Sequence, residues 1–160
     1  MYDVLDVCRF IINYCDDQDY AISNLKLQKI LYFIQAWFLC RSETRKACFK
    51  EEIEAWDFGP VVPEAYHEYK QFGSTNLPRV TFYIQRDEDD FWESKVVPFN
   101  DDVITLGDKD IIRKLVDKFA RYSTTTLVNV THGQSPWIDA YEPGKNNVIT
   151  NEAIRSYFNG

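Results

Sequence analysis

The chain has 160 residues, of which 45% are hydrophobic, and its formal net charge is -7. This length suits a single domain with one core, and the apolar content excludes a disordered chain. The acidic balance argues against sequence-independent binding of nucleic acid, which needs clustered Lys and Arg. No apolar run approaches the roughly 18 residues of a membrane span. With no signal peptide and no CxxC pair among four Cys residues, we expect a reduced, cytoplasmic protein.

The first two elements are predicted to be helices. Apolar residues at helical spacing predict an amphipathic helix over residues 3–15, which we expect to end near Asp16 and Asp17 because carboxylates at a helix C-terminus oppose its dipole. Residues 25–40, LKLQKILYFIQAWFLC, predict a second helix for which Ser23 is the N-cap. This second helix is apolar around most of its circumference, so we expect it to be buried and central.

The middle of the chain is predicted to contain one helix and a small hairpin. Residues 49–56 are interpreted as about one helical turn, and Gly59-Pro60 is expected to break regular structure. Pro63 suits the first turn of a helix predicted at 62–72, with Gly73 at its C-terminal cap. Alternating apolar residues predict strands at 80–85 and, more weakly, at 91–97, which would pair as an antiparallel hairpin.

The last third of the chain is predicted to be helical, with helices at 109–121, 124–131, about 136–141 and from 151 onward. The polar residues Asp108, Ser123 and Asn151 are the expected caps. The predicted fold class is therefore mainly α (α+β). We expect residues 1–160 to form a single compact helical domain around a central buried helix, with a small antiparallel β-hairpin.

Residue types that carry catalysis or bind metals are present, but their spacings match no known site. His67 and His132 are the only histidines, and no CxxC, CxxH or HxxxH spacing predicts zinc. No glycine-rich phosphate loop is found. Cys48, next to Lys46 and Lys50 in sequence, is the cysteine least constrained by a helix and is interpreted as a surface thiol. We therefore expect no enzyme, no metal and no cofactor.

The negative charge is concentrated in one segment. Residues 86–102 hold seven acidic and two basic side chains and so carry -5 of the net charge. This segment is either a solvated acidic loop or an acidic surface for a basic partner. Phe91 and Trp92 lie within it, and aromatic residues beside carboxylates either fold back onto the core or meet a partner.

Three segments together resemble the Panacea-domain antitoxins, the SocA-like or GepA-like phage-associated proteins. They are ISNLKLQKILYFIQAWFL at 22–39, the stretch at 49–73 with its core WDFGPVVPEAY, and LVNVTHGQSPWIDAY at 127–141. The order and spacing of the segments also match the family, and the resemblance covers nearly the whole chain. One departure lies at residues 132–135, where His132 is followed by Gly-Gln-Ser and the family often carries an acidic residue after the His.

The resemblance implies an antitoxin that neutralises a cognate toxin by direct protein–protein binding, without catalytic residues. Two alternatives remain: an adaptor that delivers the toxin to a housekeeping protease, and a phage- or prophage-associated transcriptional regulator. The motif residues carried over are Lys26, Gln28, Lys29, Trp56, Gly59, Pro60, Val61, Tyr66, His132 and Trp137. They are either architecture, with Gly59 and Pro60 setting a turn and both Trp side chains filling the core, or parts of one surface that contacts the toxin.

Overall fold

The computed structural model describes residues 1–86, 89 and 92–160. Its helices are α1 (Val4–Gln18), α2 (Asn24–Arg41), α3 (Pro63–Tyr69), α4 (Leu106–Ala120), α5 (Thr124–His132), α6 (Ser135–Ala140) and α7 (Asn151–Asn159). Its strands are β1 (Ile53–Trp56), β2 (Gly59–Val61), β3 (Phe82–Arg86), β4 (Ser94–Pro98) and β5 (Val148–Ile149). The predicted class, mainly α with a small β component, is confirmed. Within the described part of the chain, no helix is both long and apolar enough to cross a membrane.

The centre of the fold is α2, as the sequence predicts. It packs against α3, α4, α5, α7 and β2, and all but a few of its residues are buried. The Ser23 side chain accepts a hydrogen bond from the Lys26 backbone N–H, which confirms the predicted cap. Because α2 is covered on nearly every side, its polar side chains are buried too and must find partners inside the protein.

Gln35 shows how these buried polar groups position a loop. Its Oε1 accepts hydrogen bonds from the backbone N–H groups of Cys48 and Phe49, at 2.9 and 3.2 Å, and its Nε2 donates to the Phe49 carbonyl at 3.0 Å. This amide side chain therefore adds to the backbone pairing of the segment with Tyr2, and it ties the segment before β1 to the central helix.

The segment from 53 to 61 is a β-hairpin, so two predictions were wrong. Residues 49–56 do not form a helical turn, and Gly59-Pro60 does not interrupt regular structure, because β1 and β2 pair antiparallel with Ala55 opposite Pro60. Ile53 and Ala55 alternate inward and are buried, which is the period of a strand. Pro60 is tolerated since β2 is an edge strand of the order β2-β1-β5.

Several helix ends differ from the predictions by one turn or less. Helix α1 continues past both carboxylates to Gln18, and Asp19 ends it in the left-handed conformation with φ 59°. Helix α4 is capped by Thr105, whose side chain accepts from the Asp108 N–H, so Asp108 lies in its first turn. Helix α7 is capped by Thr150 in the same way, one residue before the predicted cap.

The hairpin predicted from strands at 80–85 and 91–97 is present as β3 and β4, with Ile84 opposite Val96. It is anchored on α1, where Asn13 accepts a hydrogen bond from the Val80 N–H and donates one to the Val80 carbonyl, at 2.7 and 2.8 Å. The Arg9 guanidinium also lies 3.6 Å from the centre of the Tyr83 ring. Phe91, one of the two aromatic contact candidates, lies outside the described residues, whereas Trp92 is exposed.

Candidate functional site

The turn between β1 and β2 brings two distant parts of the chain together. The Trp137 indole Nε1 donates to the Trp56 carbonyl at 2.8 Å, and His132 Nε2 lies 3.0 Å from the Asp57 carbonyl oxygen. The Tyr141 hydroxyl donates to the Asp57 carboxylate at 2.5 Å, and this bond raises the pKa of Tyr141. Both the backbone and the carboxylate of the turn are therefore held by side chains from the α5–α6 region.

Aromatic rings surround this turn. The His132 and Trp137 rings lie 4.2 Å apart, and Trp137 stacks on Tyr141 at 4.5 Å. On the other side of the turn, Trp56 meets Tyr66 of α3 edge to face at 4.9 Å. At the tip of the turn, Phe58 is 64% exposed. We name this region the hairpin-turn surface and define it by Trp56, Asp57, Phe58, Tyr66, His132, Trp137 and Tyr141.

The turn is supported from below by Lys29. This side chain is completely buried, its Nζ donates to the Pro60 carbonyl at 3.0 Å, and burial lowers the pKa of Lys29 to about 7. Gly59 lies directly above it with φ +107°, a conformation that side-chain-bearing residues rarely adopt. A Cβ on Gly59 would come within 2.8 Å of Lys29 Cε and 2.9 Å of Thr131 Oγ1. The close approach of hairpin, α2 and α5 thus requires glycine here.

Gln28 fixes the chain where it leaves the hairpin. Its Oε1 accepts from the Val62 N–H at 3.0 Å, and its Nε2 donates to Asn24 Oδ1 at 2.9 Å. Asn24 in turn donates to the Tyr66 carbonyl at 3.0 Å. Lys26 points to another part of the fold, where its Nζ donates a hydrogen bond to the carbonyl of Ala120 at the end of α4. The structure therefore does not bring Lys26 to the hairpin turn.

Nine of the ten motif residues fall into two groups. Lys26, Gln28, Lys29, Gly59 and Pro60 are buried and hold backbone in place, whereas Trp56, Tyr66, His132 and Trp137 are half-buried and reach the surface. Val61 is buried and is one of the residues that line a groove beside the turn. Both Trp side chains are half-buried: Trp137 packs against the buried core, and its indole reaches the Trp56 carbonyl at the hairpin turn.

The groove measures about 340 Å³ and runs along one side of the turn. Its lining consists of Leu25, Trp56, Asp57, Phe58, Val61, Tyr66, Gly144, Lys145 and Asn146. Sequence reasoning missed Asp57, Phe58 and Tyr141, although the first two lie inside the WDFGP motif. The alternation of Ile53 and Ala55 before Asp57-Phe58 fits a strand followed by a turn, but it covers too few residues to be distinct from a helical turn.

The residues considered for catalysis do not form a catalytic arrangement here. Cys48, interpreted from the sequence as a surface thiol, is only 1% exposed, and burial raises its pKa, which disfavours the reactive thiolate. That interpretation was wrong because the Gln35 hydrogen bonds draw this segment inward. His67 is exposed, and His132 contacts the Asp57 carbonyl. Among the described residues, no group of three or more His, Cys, Asp or Glu is placed to hold a metal ion.

Comparison with known proteins agrees with the resemblance in the sequence. A family model described as antitoxin SocA-like, Panacea domain, matches residues 27–138, a range that includes the β1–β2 hairpin and most of the hairpin-turn surface. Antitoxin SocA of Caulobacter vibrioides (strain NA1000 / CB15N) is 31% identical over 146 residues, which are 90% of this chain and 73% of that protein. No solved structure matches. The chain belongs to the SocA-like antitoxin family that is defined by the Panacea domain.

Proposed function

We propose that this protein is an antitoxin that neutralises a cognate toxin by binding it through the hairpin-turn surface. The observation that carries the proposal is the convergence of the family's motif segments on one turn. Trp56 and Tyr66 come from the second segment, and His132 and Trp137 come from the third. If these motif residues only filled a core, they would not be expected to surround a turn whose tip carries the exposed Phe58.

The composition of this surface suits protein recognition. Interface hot spots are enriched in large aromatic side chains, with polar groups around them. Here Phe58 is exposed and Trp56 half-buried, while Asp57 and Lys145 supply charge at the rim. A toxin side chain that enters the adjacent groove would be enclosed by aromatic and aliphatic groups.

The hairpin turn is also preorganised for binding. Side chains from α5, α6 and the segment after α6 already hold it by three hydrogen bonds, and Lys29 supports it from below. Binding therefore orders little additional backbone, so less of the interaction energy is lost to conformational entropy.

The mechanism we propose is occlusion: the folded domain covers the active or substrate-binding surface of the toxin. Such neutralisation is stoichiometric and requires no catalytic step by the antitoxin. An inactive toxin variant that forms the complex, yet leaves its substrate site open to a small substrate analogue, would contradict occlusion while leaving direct binding intact.

The experiment that tests the function is co-expression with the adjacent open reading frame, scored for growth and for co-purification. Rescue of growth together with a stable complex would support direct neutralisation. Rescue without a complex, with toxin levels that fall only when a housekeeping protease is present, would favour the adaptor mechanism. A harmless neighbour that does not co-purify would contradict the proposal.

A further inference from the structure

The β3–β4 ribbon has one face toward the protein and one face toward solvent. Tyr83 and Val97 are partly buried on the inner face. Phe82, Ile84 and Val96 are 59%, 64% and 69% exposed, and Pro98 is exposed beside them. Phe82 pairs with Pro98 and Ile84 pairs with Val96, so these four side chains project from the same face. The outer face of the ribbon is thus a continuous apolar patch.

This patch is held in a defined position. Five antiparallel residue pairs join the two strands, and the Phe99 N–H donates to the Thr81 carbonyl at 2.9 Å where the strands reach the body of the domain. The Asn13 bonds to Val80 and the packing of Arg9 on Tyr83 fix the ribbon on α1. Contiguous exposed apolar patches larger than a few hundred Å² are rare on soluble proteins, and they mark interaction sites.

The charge around the patch decides between two possible occupants. Residues 86–102, which include β4 and the connection between the two strands, carry a net charge of -5 in the sequence, and the described carboxylates Asp89 and Glu93 among them are exposed. A second copy packed face to face would place two such segments together, which like-charge repulsion opposes. A protein surface whose apolar side chains are bordered by Lys and Arg would match both the patch and its charge.

We propose that the outer face of the ribbon is a second contact for the toxin, and that it recognises a basic, partly apolar toxin surface. This inference rests on the proposed antitoxin function. Helix α3 lies between the two contacts: Tyr66 belongs to the hairpin-turn surface, whereas Tyr69 and Phe72 line a groove of about 430 Å³ together with Phe82 and Ile84. A toxin that used both surfaces would reach across α3.

The apolar part of the inference is tested with the double substitution Ile84→Thr and Val96→Thr. Thr keeps the preference for a strand and removes apolar surface only from the exposed face. Leu106→Thr is the matched control, because Leu106 is 79% exposed at the start of α4. With an inactive variant of the toxin from the adjacent reading frame, we expect the Kd to rise at least tenfold for the double variant and less than twofold for the control.

The charge part is tested with Glu93→Lys, and Glu43→Lys is its control. Both residues are exposed, and both substitutions change the net charge equally, but only Glu93 lies beside the ribbon. We expect Glu93→Lys to lower the association rate at least fivefold at 50 mM NaCl, and Glu43→Lys to lower it less than twofold. The difference should shrink at 300 mM NaCl, because the Debye length falls from about 14 to about 6 Å.

The outcomes separate this inference from the proposed function. If both ribbon variants bind the toxin like the wild type while Phe58→Ala weakens binding, the ribbon contact is overturned and the antitoxin function stands. If the double variant turns a wild-type dimer into a monomer at unchanged toxin affinity, the occupant is a second copy and the inference is overturned. If the wild type does not bind the toxin, the proposed function and this inference both fall.

Discussion

Replacing Lys29 with Met should make the stability of the protein less dependent on pH between 7 and 9. The Lys29 ammonium is completely buried, and its Nζ donates a hydrogen bond to the Pro60 carbonyl at 3.0 Å. No carboxylate of residues 1–86, 89 or 92–160 forms an ion pair with it. Burial is the cause that lowers its pKa from 10.5 to about 7. Folding therefore penalises the charged form of this side chain.

The sign of the pH effect follows from the direction of this shift. The unfolded chain binds a proton at Lys29 up to pH about 10.5, whereas the folded protein releases it above pH about 7. The destabilisation caused by the buried ammonium is complete well below pH 7. It decreases as the pH rises from about 7 to about 10.5, so the protein becomes more stable. The full pKa shift of Lys29 corresponds to about 5 kcal/mol of unfolding free energy, of which about 2 kcal/mol should be recovered between pH 7 and pH 9.

The assay is denaturant unfolding of the wild type and Lys29→Met at pH 7, 8 and 9. The difference between the two proteins cancels the titration of thiols and phenols that both share. We expect the stability of the wild type relative to Lys29→Met to rise by about 2 kcal/mol from pH 7 to pH 9. Lys114→Met, at an exposed position of α4, should show no such change. A constant difference between wild type and Lys29→Met would refute the account of Lys29 as an amine whose pKa is lowered by burial.

Three further predictions concern the contacts that support the β1–β2 turn and the segment at residues 48–49. Gly59→Ala should cost more than about 2 kcal/mol of unfolding free energy, whereas Gly144→Ala, with φ +76° but no atom within 4 Å, should cost about 1 kcal/mol. Gln35→Leu should cost about 2–3 kcal/mol because it leaves two buried N–H groups at residues 48–49 without a partner. Tyr141→Phe should cost about 1 kcal/mol or less, since its hydroxyl bond is exposed. Denaturant titration measures all three, and a reversed order of Gly59 and Gly144 would contradict the packing argument.

The helices were predictable because their signals are local. The apolar residues of α2 recur at helical spacing, and Ser23 and Ser123 cap α2 and α5 as expected. The start of α4 was misplaced because Thr105 and Asp108 are both good caps, and the sequence does not show which side chain accepts from which N–H.

The β1–β2 hairpin was not predictable in the same way. Its strands have four and three residues, too few for alternation to be distinct from a helical turn. Part of its stabilisation comes from β5, where Val148 pairs with Glu54 across more than 90 positions of sequence. Strand pairing at that separation depends on the tertiary fold and leaves no local signal.

The candidate site was predictable in its residues but not in its organisation. The resemblance to the family identified Lys29 and Trp56, yet their sequence neighbourhoods do not reveal that one supports the turn and the other borders it. In the sequence alone, a buried Lys on an apolar helix cannot be told from one that faces solvent. Its hydrogen-bond partner, the Pro60 carbonyl, is distant along the chain. Phe58 was missed because its importance comes from exposure at the tip of a turn, a property of the folded chain.

The central claim, that the hairpin-turn surface binds the toxin, is tested most directly by the affinity of Phe58→Ala. Phe58 is largely exposed, so its truncation should leave the thermal midpoint unchanged, and Leu106→Ala is a control of similar exposure. Calorimetric titration with the inactive toxin should show about 30-fold weaker binding for Phe58→Ala, the effect of a hot spot of about 2 kcal/mol. The control should bind within twofold of the wild type. A folded Phe58→Ala variant that binds and neutralises the toxin like the wild type would contradict the claim.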